Sequence, residues 1–144
     1  MKNVLTYSGL NTFRNCSCKY KLRYMDGLTP REKSESLYFG SAVHDALEFW
    51  YSLFSDDPHR VEKLLDHIDS QFPNRNGDAD EKRLWQHTRA MMLSYSTRYE
   101  IEEFDVIELE KEFQADIRNP DTGRGSQTFT IAGKVDGIVR IDGE

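Results

Sequence analysis

Two acidic residues in the last third of the sequence have surroundings that suit metal-dependent chemistry, and each also has an ordinary interpretation. Asp136 lies in the apolar segment 133–139, where a carboxylate is costly to bury unless it is paired or bound to a metal ion. An aspartate in a turn beside Gly137 is the alternative. Glu110 lies on the polar side of the preceding segment, from which it could approach Asp136 across a hairpin. Plain solvent exposure is the alternative for this glutamate.

His44 is the third candidate. It follows Ser41, a predicted helix N-cap, by three positions, so we expect it in the first turn of a helix. There the positive end of the helix dipole would favour a neutral imidazole, the form that binds metal ions. Glu48 follows one turn later on the same face. A surface or capping histidine is the ordinary interpretation of the same spacing.

Cys16 and Cys18 are separated by a single residue. This spacing is awkward for a disulfide and too sparse for a complete metal site, which usually needs four ligands. A first helix that begins after the cap Ser8 and ends near Asp26 would carry Cys16 on its apolar side. We therefore expect two reduced thiols, at least one of them buried.

The composition describes one globular domain with an uneven distribution of charge. The chain has 144 residues and a formal net charge of −6, yet residues 1–33 hold seven basic residues and two acidic ones. Such a basic segment could follow a phosphate backbone, and a solvated helix face is the alternative. No apolar run approaches the ~20 residues that span a bilayer, and no secretory signal is recognisable, so we expect a cytoplasmic protein without membrane contact.

Hydrophobic spacing predicts four helices followed by two strands. Signals for the start of a helix stand at Ser8, Ser41, Asp57-Pro58 and Asp78 or Asp80. Alternation of apolar and polar residues predicts strands over 107–117 and 128–141, and Asp142-Gly143 is a hairpin signal before a third strand. We therefore expect one α+β domain over residues 1–144, mainly helical over 1–104 and with the start of a β-sheet over 105–144.

Taken together, five segments in their order resemble the RecB-like branch of the PD-(D/E)XK nucleases. They are a serine-capped helix with a cysteine (8–16), a basic-aromatic repeat (19–24), a helix with a histidine (39–48) and two strand segments (110–113 and 131–138). The resemblance implies helices packed on a mixed restriction-endonuclease-like sheet. It also implies a DNA-cleaving phosphodiesterase, exonuclease-like, that acts on single strands or duplex ends in repair, recombination or phage DNA processing.

The resemblance also assigns roles to particular residues. His44 and Asp136 would bind Mg²⁺ or Mn²⁺, with Asp136 and Glu110 as the catalytic acidic residues. The predicted DNA contacts come from the basic N-terminal segment, namely Arg14, Lys19, Lys21 and Arg23. Two other readings stay open: a non-catalytic DNA-binding or assembly module on the nuclease scaffold, and a helical structural domain with coincidental matches.

Some expected family features are absent from the sequence. The family places a D/E-x-K motif on the next strand, but the sequence contains no E-x-K, and its D-x-K, Asp80-Glu81-Lys82, stands at a predicted helix start. We interpret that triplet as a capping cluster and expect a nuclease domain truncated before its lysine, inactive alone, with a sheet edge open to self-association. The usual Cys-Pro is also absent, although Cys16 is a candidate ligand of a [4Fe–4S] cluster in a longer protein.

Overall fold

The computed structural model describes residues 3–31, 34–99 and 104–141. Within these ranges the chain forms five α-helices, one π-helical segment and a three-stranded mixed sheet, which confirms the predicted α+β class. In chain order the elements are β1 (Asn3–Thr6), α1 (Tyr7–Asn15), α2 (Ser17–Tyr20), the π-helical segment (Lys21–Met25), α3 (Glu35–Ser52), α4 (Arg60–Gln71), α5 (Ala79–Arg98), β2 (Phe104–Arg118) and β3 (Gly125–Ile141). The predicted hairpin signal at Asp142-Gly143 lies outside the described residues.

The chain divides into two compact units. The sheet unit comprises Met1–Arg31 and Glu110–Asp136, and the helical unit comprises Glu32–Leu109 and Gly137–Glu144. Because β2 and β3 contribute residues to both units, the expectation of one domain over the whole chain stays a prediction.

The helical unit is built around large apolar side chains from α3, α4 and α5. Leu64, Ile68 and Phe72 are fully buried, and Trp50 and Met92 are nearly so. Burial of one such side chain contributes about 1.5–3 kcal/mol, so this cluster is the main source of stability in the unit. Leu84 and Met92 of α5 complete this core with Leu64 and Ile68 of α4.

A polar network also ties α4 to α5. The Asp69 carboxylate accepts hydrogen bonds from Trp85 Nε1 at 2.8 Å and from Arg89 at 2.6 Å. Burial acts to raise the pKa of Asp69, but the hydrogen bonds from Trp85 and Arg89 and the charge of Arg75 outweigh it, so the pKa is lowered. Asp69 is therefore a charged group that the fold holds in its ionised form.

The sheet unit has β3 at its centre. The strand order is β1-β3-β2, and β1 runs parallel to β3 with Thr6 opposite Ala132. The turn between β2 and β3 is closed by the side chain of Asn119, whose Oδ1 accepts from the backbone N–H groups of Asp121 and Thr122. Gly123 in this turn has φ 66°, a left-handed conformation that glycine adopts without a steric penalty.

The N-terminal segment differs from its prediction. Strand β1 was not expected, and α1 begins at Tyr7 with Thr6 as its N-cap instead of Ser8. Cys16 has an extended backbone that interrupts the predicted single helix, and its thiol caps α2 by accepting from the Lys19 N–H at 3.4 Å. Both cysteines are free, as expected, but both are exposed, so the expected burial is wrong.

The start of α3 is also different. Ser34 is the N-cap of this helix, and Ser41 lies inside it with its hydroxyl donating to the Leu37 carbonyl at 2.8 Å. Short polar residues compete for such caps, and the earlier serine extends the helix by about two turns. His44 therefore lies in the third turn of α3, so the expected influence of the helix dipole on this histidine is wrong.

Candidate functional site

Two of the predicted site residues lie together in the sheet unit. A carboxylate oxygen of Glu110 on β2 and one of Asp136 on β3 lie within 4.8 Å of each other. Glu110 is half-buried, whereas Asp136 is exposed. The expected approach across the hairpin is confirmed for this pair. Because Asp136 is exposed, the expectation that it is buried in an apolar strand is wrong. Neighbouring Val135 is exposed as well.

Glu110 has an unusual backbone for a residue inside a strand. Its φ is 52°, in the left-handed region, and it is the one non-glycine residue with positive φ in the described part of the chain. A left-handed residue breaks the alternation of a strand in the way that a β-bulge does, and bulges often redirect side chains at functional sites. Leu109 and Glu110 are accordingly both half-buried, although alternation predicts opposite faces for them.

Lys134 is a site residue that the sequence prediction missed. Its ammonium group contacts the Glu110 carboxylate. Because side chains two positions apart on a strand project to the same face, Lys134 and Asp136 share one side of β3. The spacing Lys-x-Asp was visible in the sequence, but only the fold shows that Glu110 faces the lysine. One positive group thus lies beside two carboxylates.

The donor chemistry of this pair fits a divalent cation. Oxygen ligands bind Mg²⁺ or Mn²⁺ at about 2.0–2.3 Å, so two oxygens that share an ion lie no more than about 4.6 Å apart. The two carboxylates lie within 4.8 Å of each other, so small side-chain movements would let both bind one ion, and both offer hard oxygens. The Lys134 ammonium group also contacts Glu110, so a bound ion would share this carboxylate with the lysine.

The other predicted site residues have the following places. His44 is exposed on α3, and its role as a metal ligand stays a prediction. Asp80 and Glu81 lie in the first turn of α5, where Asp78 accepts hydrogen bonds from their backbone N–H groups. The triplet 80–82 thus lies at a helix start, as expected for a capping cluster.

The basic N-terminal residues belong to the same unit as the carboxylate pair. Arg14, Lys19, Lys21 and Arg23 are all exposed, and Lys21 forms an ion pair with Asp26 at 2.6 Å. Counted from the sequence, the sheet unit has ten basic and six acidic residues, and the helical unit has nine basic and nineteen acidic ones. The excess of positive charge therefore lies in the unit that carries Glu110 and Asp136, although the whole chain is acidic.

A family comparison agrees with these features. The family model described as the PD-(D/E)XK nuclease superfamily matches residues 4–144. This chain belongs to the PD-(D/E)XK nuclease superfamily. No curated protein matches it significantly. Members of the superfamily typically use Mg²⁺ or Mn²⁺, in keeping with the paired carboxylates. Assignment to the RecB-like branch stays a prediction. Among the described residues, no helix combines the length and the apolar character needed to cross a bilayer.

Proposed function

We propose that this chain is part of a metal-dependent DNA nuclease that hydrolyses phosphodiester bonds in the cytoplasm. The observation that carries the proposal is the proximity of Glu110 and Asp136 on neighbouring strands, with Lys134 beside them. Within the superfamily we favour an exonuclease-like enzyme of the RecB-like branch that acts in DNA repair, recombination or phage DNA processing. This finer assignment rests on the order of the sequence motifs.

Each residue of the proposed site has a defined task. Asp136 and Glu110 would hold the ion through carboxylate oxygens, and His44 would add a nitrogen ligand that favours manganese. When bound, such an ion polarises the phosphate and lowers the pKa of the attacking water. Lys134 keeps Glu110 in place and reduces the repulsion between the two carboxylates before an ion arrives.

The substrate would be held mainly through its phosphates. Arg14, Lys19, Lys21 and Arg23 are exposed and carry charges that can neutralise phosphates along a DNA strand. Because each neutralised phosphate releases counterions, DNA affinity should fall steeply as the salt concentration rises. Removal of one such charge, for example by Arg23→Ala, should make that dependence shallower.

The proposal includes an expectation about activity. No E-x-K occurs in the sequence, and Asp80-Glu81-Lys82 lies at the start of a helix, so we propose that residues 1–144 by themselves cleave DNA weakly or not at all.

Two further features are part of the proposal. Cys16, which is exposed, would serve as one ligand of a [4Fe–4S] cluster in a longer protein, and an edge strand of the sheet would support self-association.

A cleavage assay tests this function. Labelled DNA and Mn²⁺ are incubated with residues 1–144 and with a longer version of the protein that adds a D/E-x-K strand. We expect cleavage by the longer protein alone, abolished by Asp136→Asn and reduced at least tenfold by His44→Ala. Asp121→Asn, an exposed aspartate in the turn between β2 and β3, is the matched control and should keep full activity. Cleavage that survives Asp136→Asn would contradict the proposal.

A further inference from the structure

Lys134 on β3 contacts the Glu110 carboxylate, and the two side chains of this ion pair differ in their access to water. The Glu110 side chain is 20% exposed, whereas that of Lys134 is 50% exposed. A carboxylate that is largely removed from water is stabilised by a positive partner. Glu110 is therefore the fixed member of the pair, and Lys134 is the member that reaches it from the solvent.

The strand register shows that this contact is built into the sheet. The Gln114 amide donates to the Thr130 hydroxyl at 2.8 Å, and Thr130 is buried. On β2, Gln114 follows Glu110 by four positions. On β3, Thr130 precedes Lys134 by the same number, so both contacts belong to one antiparallel register. Lys134 thus lies opposite Glu110, and Asp136 is a diagonal neighbour of Glu110 on the same side of β3 as the lysine.

A divalent ion held by Glu110 and Asp136 would be a second positive group beside the carboxylate that Lys134 already contacts. The two carboxylates and the ammonium group have a combined charge of one negative unit, so a doubly charged ion reverses the sign of the site. Positive groups this close repel each other, and the repulsion grows with the charge of the ion. The ion and the ammonium group of Lys134 therefore compete for Glu110.

The lysine side chain is suited to give way in this competition. Its ammonium group is a point charge at the end of a flexible four-carbon stem, and the side chain is already half exposed. Asp136 lies two positions further along the same side of β3, about 7 Å from Lys134 along the strand. A phosphate of a DNA strand at the carboxylate pair is therefore within reach of the lysine, and lysine binds phosphate as a point charge.

We propose that Lys134 is an exchangeable counter-ion of this site. Before an ion binds, its ammonium group holds the Glu110 carboxylate. When Glu110 and Asp136 hold a divalent ion, Lys134 leaves Glu110 and turns to a phosphate of the substrate. This inference rests on the proposed function and adds a residue that changes its partner. One lysine thereby reduces the repulsion between two carboxylates in the first state and offsets negative charge on the substrate in the second.

Acetylation of the lysines in residues 1–144, measured by mass spectrometry of their peptides, tests the exchange directly. An ammonium group paired with a carboxylate is shielded from the reagent, so saturating Mn²⁺ should raise the acetylation rate of Lys134 by at least about threefold. Lys19 and Lys21 of the same unit are internal controls and should react at unchanged rates. In Asp136→Asn, the same Mn²⁺ concentration should leave the rate at Lys134 unchanged.

Substitution of Lys134 separates the exchange from a role in only holding Glu110 in place. Lys134→Met should bind Mn²⁺ about tenfold more tightly, because a unit charge about 6 Å from a divalent ion no longer opposes it in a water-like medium. Lys19→Met removes the same charge elsewhere in the unit, and Lys134→Arg retains the charge. Both should bind Mn²⁺ within about threefold of the unchanged protein. At saturating Mn²⁺, DNA cleavage by the longer protein should nonetheless fall at least about tenfold in Lys134→Met.

Three results would each overturn the exchange: unchanged acetylation of Lys134 in Mn²⁺, equal or weaker Mn²⁺ binding by Lys134→Met, or undiminished cleavage by that variant. Weaker binding is the result expected if Lys134 only positions Glu110. If the exchange fails while Asp136→Asn still loses Mn²⁺ binding, the proposed function stands without it. If the unchanged protein binds no Mn²⁺, both fail.

Discussion

The helical unit and the sheet unit of this protein are stabilised to different degrees. In the helical unit, side chains such as Leu64, Ile68 and Phe72 are fully removed from water. Among the described residues of the sheet unit, only Gly9 and Thr130 are buried. Residues with proposed chemistry, Glu110, Asp136 and Lys134, belong to the second group. Apart from His44 on α3, the proposed chemistry thus lies in the unit with fewer buried side chains, as is common when binding regions come from the less stable parts of a fold.

Substitution of a buried ring should have the largest effect. Phe72 is fully buried, so Phe72→Ala should lower the free energy of unfolding by about 3–5 kcal/mol through lost burial and a cavity. Phe54 in the same unit is 82% exposed, and Phe54→Ala should change the free energy of unfolding by less than about 0.5 kcal/mol. Urea denaturation followed by circular dichroism measures both. If Phe72→Ala and Phe54→Ala lower the free energy of unfolding equally, the helical unit is not the more stable part of the chain.

The polar network of the helical unit gives a smaller effect that depends on pH. The lowered pKa of Asp69 means that its ionised form favours the folded state above its unfolded pKa of about 3.8, and that this contribution is lost as the pH falls through the folded pKa. Unfolding midpoints of the unchanged protein should therefore drop more steeply below pH 4 than those of Asp69→Asn. Asp66→Asn, an exposed position on α4, is the control and should keep the steeper slope.

Replacement of Asp69 by alanine tests the contribution of the same network to stability at neutral pH. Trp85 Nε1 and Arg89 would lose their shared acceptor, which should cost about 1–3 kcal/mol of unfolding free energy. Asp66→Ala should cost less than about 0.5 kcal/mol. If the two variants unfold at the same urea concentration, the network does not contribute to stability.

The backbone of Glu110 offers the smallest effect, in the sheet unit. Because its φ of 52° suits glycine, Glu110→Gly should be more stable than Glu110→Ala by about 1 kcal/mol. Both variants lack the carboxylate, so the lost contact with Lys134 cancels. At Glu112 the order should reverse, with glycine about 0.5–1 kcal/mol less stable than alanine. If the alanine variant were more stable than the glycine variant at both positions, the backbone of Glu110 would not be strained.

The sequence predicted the helical unit well and the sheet unit less well, for physical reasons. Amphipathic spacing identifies buried positions of α4 such as Leu64 and Ile68, and Asp78 caps α5 as predicted. The predicted start of α4 at Asp57 is wrong, because this helix begins after His59 without a side-chain cap. Strand β1 is short, and its pairing with β3 joins residues that are more than a hundred positions apart. Propensity and periodicity carry no information about such pairing, and β1 was missed for that reason.

The candidate site shows the same limit. The types of Glu110 and Asp136 and their hairpin spacing indicated that they could approach each other, with plain solvent exposure of Glu110 as the alternative. Alternation alone placed Glu110 in a regular strand, since nothing in the sequence marks it as left-handed. Lys134 was missed because its contact with Glu110 depends on the register between two strands. Ser41 was mistaken for a cap because Ser34, seven positions earlier, is an equally good one.

The central claim is that Glu110 and Asp136 bind one divalent ion together, and Mn²⁺ titration monitored by electron paramagnetic resonance tests it most directly. Residues 1–144 should bind Mn²⁺, with an affinity at least tenfold lower in both Glu110→Gln and Asp136→Asn and unchanged in Asp121→Asn. The double variant should bind little more weakly than either single one, because the two groups act on the same ion. Equal binding by the unchanged protein and Asp136→Asn would contradict the claim.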